Sequence, residues 1–110
     1  MARPVRGDVV VIPFPFSDLS QAKRRPALVL AELNGDDLIL CQITSQATKD
    51  RYSISLEADD FSEGRLNQSS SLRPNRLFTA DSAIILYKAG SVRPRKLDQV
   101  VERVIEILRS

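Results

Sequence analysis

Within its first thirty residues the chain spells two strands and the basic loop that joins them. Arg6-Gly7-Asp8 opens a β-branched run through Ile12, Pro13-Phe14-Pro15-Phe16 stops it, and Lys23-Arg24-Arg25-Pro26 launches a second run, Ala27-Leu28-Val29-Leu30. Valine and isoleucine favour a pleated, half-buried surface, so residues 8–12 predict a strand. Pro13 and Pro15 lack the N–H that a ladder needs, which puts the strand end, or a sheet edge, at Pro13. Residues 17–23 are polar, with Asp and Ser side chains able to bond their own backbone, and read as an exposed connection. Pro26 biases Arg25 toward an extended backbone and so sets Arg25 at the mouth of the second strand.

The rest of the chain continues in short strands and ends in a helix. Residues 27–33 and 38–43 predict a hairpin about Asn34-Gly35-Asp36-Asp37, because Asn and Gly both tolerate positive φ. Residues 51–56 alternate Tyr52, Ile54 and Leu56 with Ser53 and Ser55, the period of a strand with one face in the core. Residues 59–64 read as a turn with Phe61 plugging the core. Residues 72–78 and 84–89 are further strands, with residues 79–82 as the turn between them. From Pro94 the period changes: Leu97, Val100, Val101, Val104, Ile105 and Leu108 recur at steps of three and four, an apolar stripe on a helix that Pro94 starts well. Five or six strands and one terminal helix make a mainly β (α+β) chain with a compact, strongly bent sheet.

A chain of 110 residues, 43% hydrophobic, supports a single domain over residues 1–110 with one modest core. No secretory segment follows Met1, and no apolar run approaches membrane-spanning length, so the expectation is a soluble cytoplasmic protein that engages no membrane. The one cysteine, Cys41, lies in an apolar run and reads as a buried structural thiol. Charge is uneven along the chain. Residues 1–30 carry five basic and two acidic groups (+3), residues 31–64 two and eight (−6), residues 65–110 nine and four (+5). Folding could set a positive groove suited to phosphates beside a negative face, or simply scatter ion pairs over a solvated surface.

Most familiar catalytic sets are missing. There is no histidine, no metal-ligand spacing, no nucleophile elbow and no P-loop. Asp59 and Asp60 are adjacent, so on a strand they would point to opposite faces, and turn-capping explains them better than a metal. Cleavage of RNA through its own 2′-hydroxyl needs none of these, because the substrate supplies the nucleophile. Such an enzyme must remove the 2′ proton, stabilise a pentacoordinate phosphate and help the 5′ oxygen leave.

The motifs "RGDVVVIPFPF" and "RRPALVL", followed by "CQITSQ" (residues 41–46), "DDFSEGRL" (59–66), "RLFTAD" (76–81) and the terminal helix, resemble in order and spacing the MazF/PemK family of ribonuclease toxins from toxin–antitoxin pairs. The resemblance spans nearly the whole chain. It implies a small SH3-like β-barrel of the MazF/PemK/CcdB type, a homodimer, and a metal- and cofactor-independent endoribonuclease. The substrate would be single-stranded RNA, cut at a short sequence to leave 2′,3′-cyclic phosphate and 5′-hydroxyl ends. It also implies a cognate antitoxin whose flexible acidic segment fills the substrate groove.

By resemblance the catalytic pair falls on Arg25 and Thr44. A guanidinium offers planar paired donors to phosphate oxygens but is a poor proton acceptor, its pKa lying above about 12, so Arg25 suits phosphorane stabilisation. Around the pair, Ser20 and Gln21 would border the substrate, Ser45 and Gln46 would touch a base or sugar, and Lys23, Arg24, Arg73 and Arg76 are candidate phosphate contacts. Relatives carry a Glu or Gln near Asn75 and Arg76, where this chain departs, so base preference does not transfer. Two other readings have their own signatures. Gyrase-poisoning toxins of the same superfamily use a terminal Trp-Gly-Ile tail, whereas this chain has no tryptophan and ends Leu108-Arg109-Ser110. A silent nucleic-acid-binding or regulatory barrel would lack toxicity altogether.

Overall fold

The computed structural model describes residues 3–15, 22–46 and 50–110. Each β-branched run becomes a strand: β1 is Asp8–Pro15, β2 Ala22–Glu32, β3 Asp37–Thr44, β4 Ile54–Leu56, β5 Phe61–Gly64, β6 Ser70–Asp81 and β7 Tyr87–Val92. Helix α1 spans Pro94–Arg109, with Pro94 at its first turn. The strands form one antiparallel sheet in the order β4-β6-β3-β2-β1-β7-β5. Register shifts in β1, between β2 and β3, between β3 and β6 and between β5 and β7 bend it into a half-barrel.

Period-two alternation sorts the side chains onto two apolar faces. Val9, Leu28, Leu30, Cys41, Ile43 and Leu72 share one face, on which Leu97 and Val100 of α1 pack. Val10, Ile12, Ala27, Val29, Leu38 and Leu40 share the other, with Ile85. The helix is tied down by its cations as well: Lys96 Nζ donates to Ser55 O (3.0 Å) and Arg103 Nη1 to Tyr52 O (3.0 Å). At the far end of the predicted stripe Leu108 is 75% exposed.

Several boundaries differ from those predicted, each for a local reason. β1 does not stop at Pro13 but runs to Pro15, pairing Pro13 with Arg24 and Pro15 with Ala22. The β7 ladder covers β1 only as far as Val11, whose carbonyl accepts from Leu86 N (2.8 Å). Pro13 and Pro15 share the parity of Val11, so their missing N–H groups face a side without a ladder partner. Arg25 is consequently the fourth residue of β2 and not its mouth. Residues 51–53 stay out of β4 because the Asp50 carboxylate accepts from Tyr52 N (3.0 Å) and Ser53 N (2.9 Å), a local turn that competes with the ladder.

The stretch after it also gains structure. Residues 58–60 form a 3₁₀ turn in which Asp60 accepts from Glu57 N (2.8 Å), the capping role expected of it. Phe61 then opens β5 and is buried, as expected, but the segment pairs with β7 where a turn was predicted. β5 and β7 meet at Gly64↔Gly90, where a Cβ on Gly90 would stand 2.5 Å from Glu63 O, so only glycine fits. β6 runs on through the predicted turn to Asp81, which caps a 3₁₀ turn at Ser82–Ile84 by accepting from Ala83 N (2.8 Å). β7 therefore starts late, at Tyr87.

Candidate active site

Pro26 decides where the sheet opens. It stands opposite Val11 in the β1–β2 ladder. Because Val11 turns its polar groups toward β7, Pro26 turns its ring nitrogen the other way, toward β3. With no N–H there to donate, the β2–β3 ladder ends at Ala27↔Gln42. Arg25 and Thr44 each lie two residues beyond that last pair, at the same end of the sheet.

They also share a face. Arg25 follows Ala27 and Val29 by the strand period, and Thr44 follows Gln42, Leu40 and Leu38. On β6, Arg73 stands opposite Gln42 and Ser71 opposite Thr44. The apolar face that holds Val29 and Leu40 thus turns polar at one end, into Arg25, Gln42, Thr44, Ser71 and Arg73. The Thr44 side chain is 8% exposed, and its Oγ1 accepts from Gln46 N (3.1 Å) in a hydroxyl-anchored turn. That bond uses a lone pair and leaves the hydroxyl proton to donate outward.

Arg73 is held by Asp50 in an ion pair, Nη2 to Oδ2 2.8 Å. The guanidinium beside it keeps the Asp50 carboxyl below its ordinary value of 3.8. The Nε of Arg73 is buried without a hydrogen-bond partner among the described residues. Between Arg73 and Leu77, β6 bulges outward by Pro74, Asn75 and Arg76, which have no partner on β3. Pro74 is fully buried and anchors the bulge, while Asn75 and Arg76 are exposed. They line a hollow of about 720 Å³ whose floor includes Ile12, Pro13 and Gln42. A second cleft, about 300 Å³, opens where β2 and β3 part and is lined by Arg24, Arg25, Ser45, Asn67, Gln68 and Ser70, among others.

Of the residues expected from sequence, Arg24, Arg25 and Ser45 therefore meet at one cleft; Thr44 does not line it but precedes Ser45 in the chain, its hydroxyl fixed by the Gln46 amide. Arg76 lies at the larger hollow, Arg73 between the two in its ion pair, and Lys23 on β2 opposite Phe14, exposed. Ser20 and Gln21 lie outside the described residues. Sequence reasoning missed Gln42, although a polar residue continuing the inward series Leu38, Leu40 was a readable sign. It missed Asp50, whose role depends on Arg73, 23 positions away, and gave no sign that Asn67 and Gln68 would line the cleft. Cys41 is fully buried, and burial pushes its thiol up to about 12, so it is inert as a nucleophile.

A small antiparallel half-barrel with one terminal helix and a basic cleft at the parted end of its sheet is the MazF-like fold. Among solved structures the chain is similar to MazF (Form-I) from Deinococcus radiodurans, at 22% identity over 100% of both chains with a TM-score of 0.78. It is similar also to MazE-MazF (Form-II) from the same organism, at 21% identity over 98% of this chain and 97% of the other, TM-score 0.80. An endoribonuclease in complex with its cognate antitoxin from a mycobacterial species aligns at 13% identity over 98% and 95%, TM-score 0.74. No curated protein matches the chain by sequence. Residues 5–108 match the family described as PemK-like, MazF-like toxin of type II toxin-antitoxin system, and the chain belongs to that family.

Proposed function

We propose that this toxin is an endoribonuclease that cuts single-stranded RNA, chiefly mRNA, at a short sequence through the substrate's own 2′-hydroxyl, and so stops translation. The observation that carries the reading is the pairing of Arg25 with Thr44 on one face, each two residues past the point where Pro26 ends the β2–β3 ladder. In the reaction the O2′–P bond forms and the P–O5′ bond breaks. The 2′ proton leaves to water, O5′ takes one up from water, and negative charge gathers on the non-bridging oxygens. Arg25 supplies paired, permanently charged donors to those oxygens. The Thr44 hydroxyl, its oxygen occupied by Gln46 N–H, adds a third donor held in place before the charge develops. The products are a 2′,3′-cyclic phosphate and a 5′-hydroxyl, with no metal or cofactor in the step.

The similar mycobacterial endoribonuclease is in complex with its cognate antitoxin, and the family's place in toxin–antitoxin pairs implies one for this chain, which would cover the cleft. An acidic segment would suit the arginines around it. The site of action would be the cytoplasm, where mRNA is; among the described residues no helix is long and apolar enough to cross a membrane. Purified protein incubated with a long single-stranded RNA and EDTA should give discrete fragments with cyclic-phosphate ends by mass spectrometry. Arg25→Ala and Thr44→Ala should each slow single-turnover cutting by about 10²–10³-fold, the usual cost of one lost oxyanion donor. Unchanged cutting by both variants would remove these residues from the site, and no cutting by wild type would leave a binding module.

A further inference from the structure

We propose that the cleft beside Arg25 is a base-recognition site for an unpaired purine flanking the scissile phosphate, read by Asn67 and Gln68 of the β5–β6 loop together with Arg24. The inference rests on the ribonuclease reading above and adds to it the residues that choose where the RNA is cut.

The cleft's lining joins Arg25 to Asn67 and Gln68, so a base seated there is next to the phosphate that Arg25 would hold. Its volume, about 300 Å³, is enough for a nucleobase. The loop that carries the two amides is built to stay in place. Leu66 packs against the core, Ser69 Oγ donates to Glu57 Oε2 (2.7 Å), and Ser70 Oγ donates to the Gln68 carbonyl (3.0 Å). Both amide side chains are exposed, and no hydrogen bond to another described side chain occupies them. Preorganised backbone with unspent amide heads is what a reader of base edges requires, since its donors and acceptors must be available at no cost of rearrangement.

The chemistry of the three heads fits the N7 edge that only purines have. An Asn or Gln amide presents a donor and an acceptor that match the adenine N6/N7 edge, and an Arg guanidinium matches guanine O6/N7. Ser45, at the cleft's rim, is placed for the ribose.

The test has a cleavage arm and a binding arm. Cutting of a randomised single-stranded RNA library is mapped for wild type, Asn67→Ala and Gln68→Ala; both substitutions fall on exposed loop positions. Wild type should prefer a purine at one position next to the cut, and each variant should lose roughly tenfold of that preference while selectivity at other positions stays as it was. In parallel, the side-chain NH₂ signals of Asn67 and Gln68 are followed by NMR in wild-type protein titrated with 2′-O-methyl hexanucleotides of A, C and U, which cannot be cut. The A oligomer should shift both signals at the lowest concentration. Base selectivity untouched by both substitutions, a pyrimidine preference that they abolish, or signals unmoved by every oligomer would overturn the proposal. Cutting by wild type with unmoved signals and unchanged selectivity sinks this site and leaves the ribonuclease standing. Signals that move with the A oligomer in a protein that cuts nothing keep the base site and sink the ribonuclease.

Discussion

Asp50 holds three donors at once, the Tyr52 and Ser53 amides on one oxygen and Arg73 on the other. One carboxylate thereby sets the end of a loop and the aim of a cation on the polar face. Arg73 enters the site already neutralised, so it serves RNA as a hydrogen-bond donor more than as a charge. The pair has a pH signature. The folded-state pKa of Asp50 is depressed below 3.8, so its contribution to stability is complete above that value and is lost as pH falls through the folded one. Glu63, lowered by Lys88, behaves in the same sense. Asp50→Asn should therefore unfold at lower urea than wild type at pH 7, yet lose less of its urea midpoint between pH 5 and pH 2. Parallel pH profiles for the two proteins would show that the ion pair has no part in acid sensitivity. At this scale the sequence was readable where a residue's own neighbours decide its role, as with Asp60 at its turn and Cys41 in its apolar run. It was silent on Asp50, because Arg73 lies 23 positions away and nothing local announces it.

Strands were legible as elements because the β-branched runs and the Asn34-Gly35 turn act locally, Gly35 taking its positive φ of 79°. The helix was legible for the same reason, its stripe landing Leu97 and Val100 in the core. Strand ends were not, since ladder partners and not propensity decide them. Pro13 and Pro15 were rightly seen as edge residues, but only the reach of β7 shows that the edge lies inside β1. The bulge at Pro74–Arg76 had no signal beyond a proline in a strand. Pro26 carries the most consequence, for its missing N–H separates the end of β2 from β3 and makes the cleft. Restoring a donor with Pro26→Ala should let the ladder creep toward Arg25 and Thr44. We expect cutting to fall by about tenfold or more, as for small misplacements of reacting groups. Stability should change by no more than about 0.5–1 kcal/mol, the backbone-entropy effect of removing a proline. Full activity in that variant would mean that the proline does not shape the site.

The whole molecule resolves the uneven charge along the chain. Much of the acidic middle is spent on the basic last third, through Glu63–Lys88 (2.6 Å), Asp60–Lys96 (3.5 Å) and Asp50–Arg73 (2.8 Å). Ion pairs thus run along β6, β7 and α1, while Arg24 and Arg25 line the cleft and Arg76 the larger hollow. Leu77, Ile84, Leu86 and Tyr87, on β6, on β7 and between them, are between 39% and 47% exposed. Apolar residues so grouped along the β6–β7 connection suit burial against a second copy, the homodimer that the family resemblance implies. Sedimentation should give twice the 12.3 kDa chain mass, shifting toward the monomer in Tyr87→Glu; a wild-type monomer at micromolar concentration would refute it.

In the proposed reaction the substrate, and not the protein, supplies the nucleophile. Once a cut site is mapped, the same RNA can be made with a single 2′-deoxynucleotide immediately 5′ of the scissile phosphate. Cutting should vanish at that position alone while other sites in the strand are cut at their former rates. Cleavage at the deoxy position would contradict it, since no 2′-hydroxyl remains there to attack.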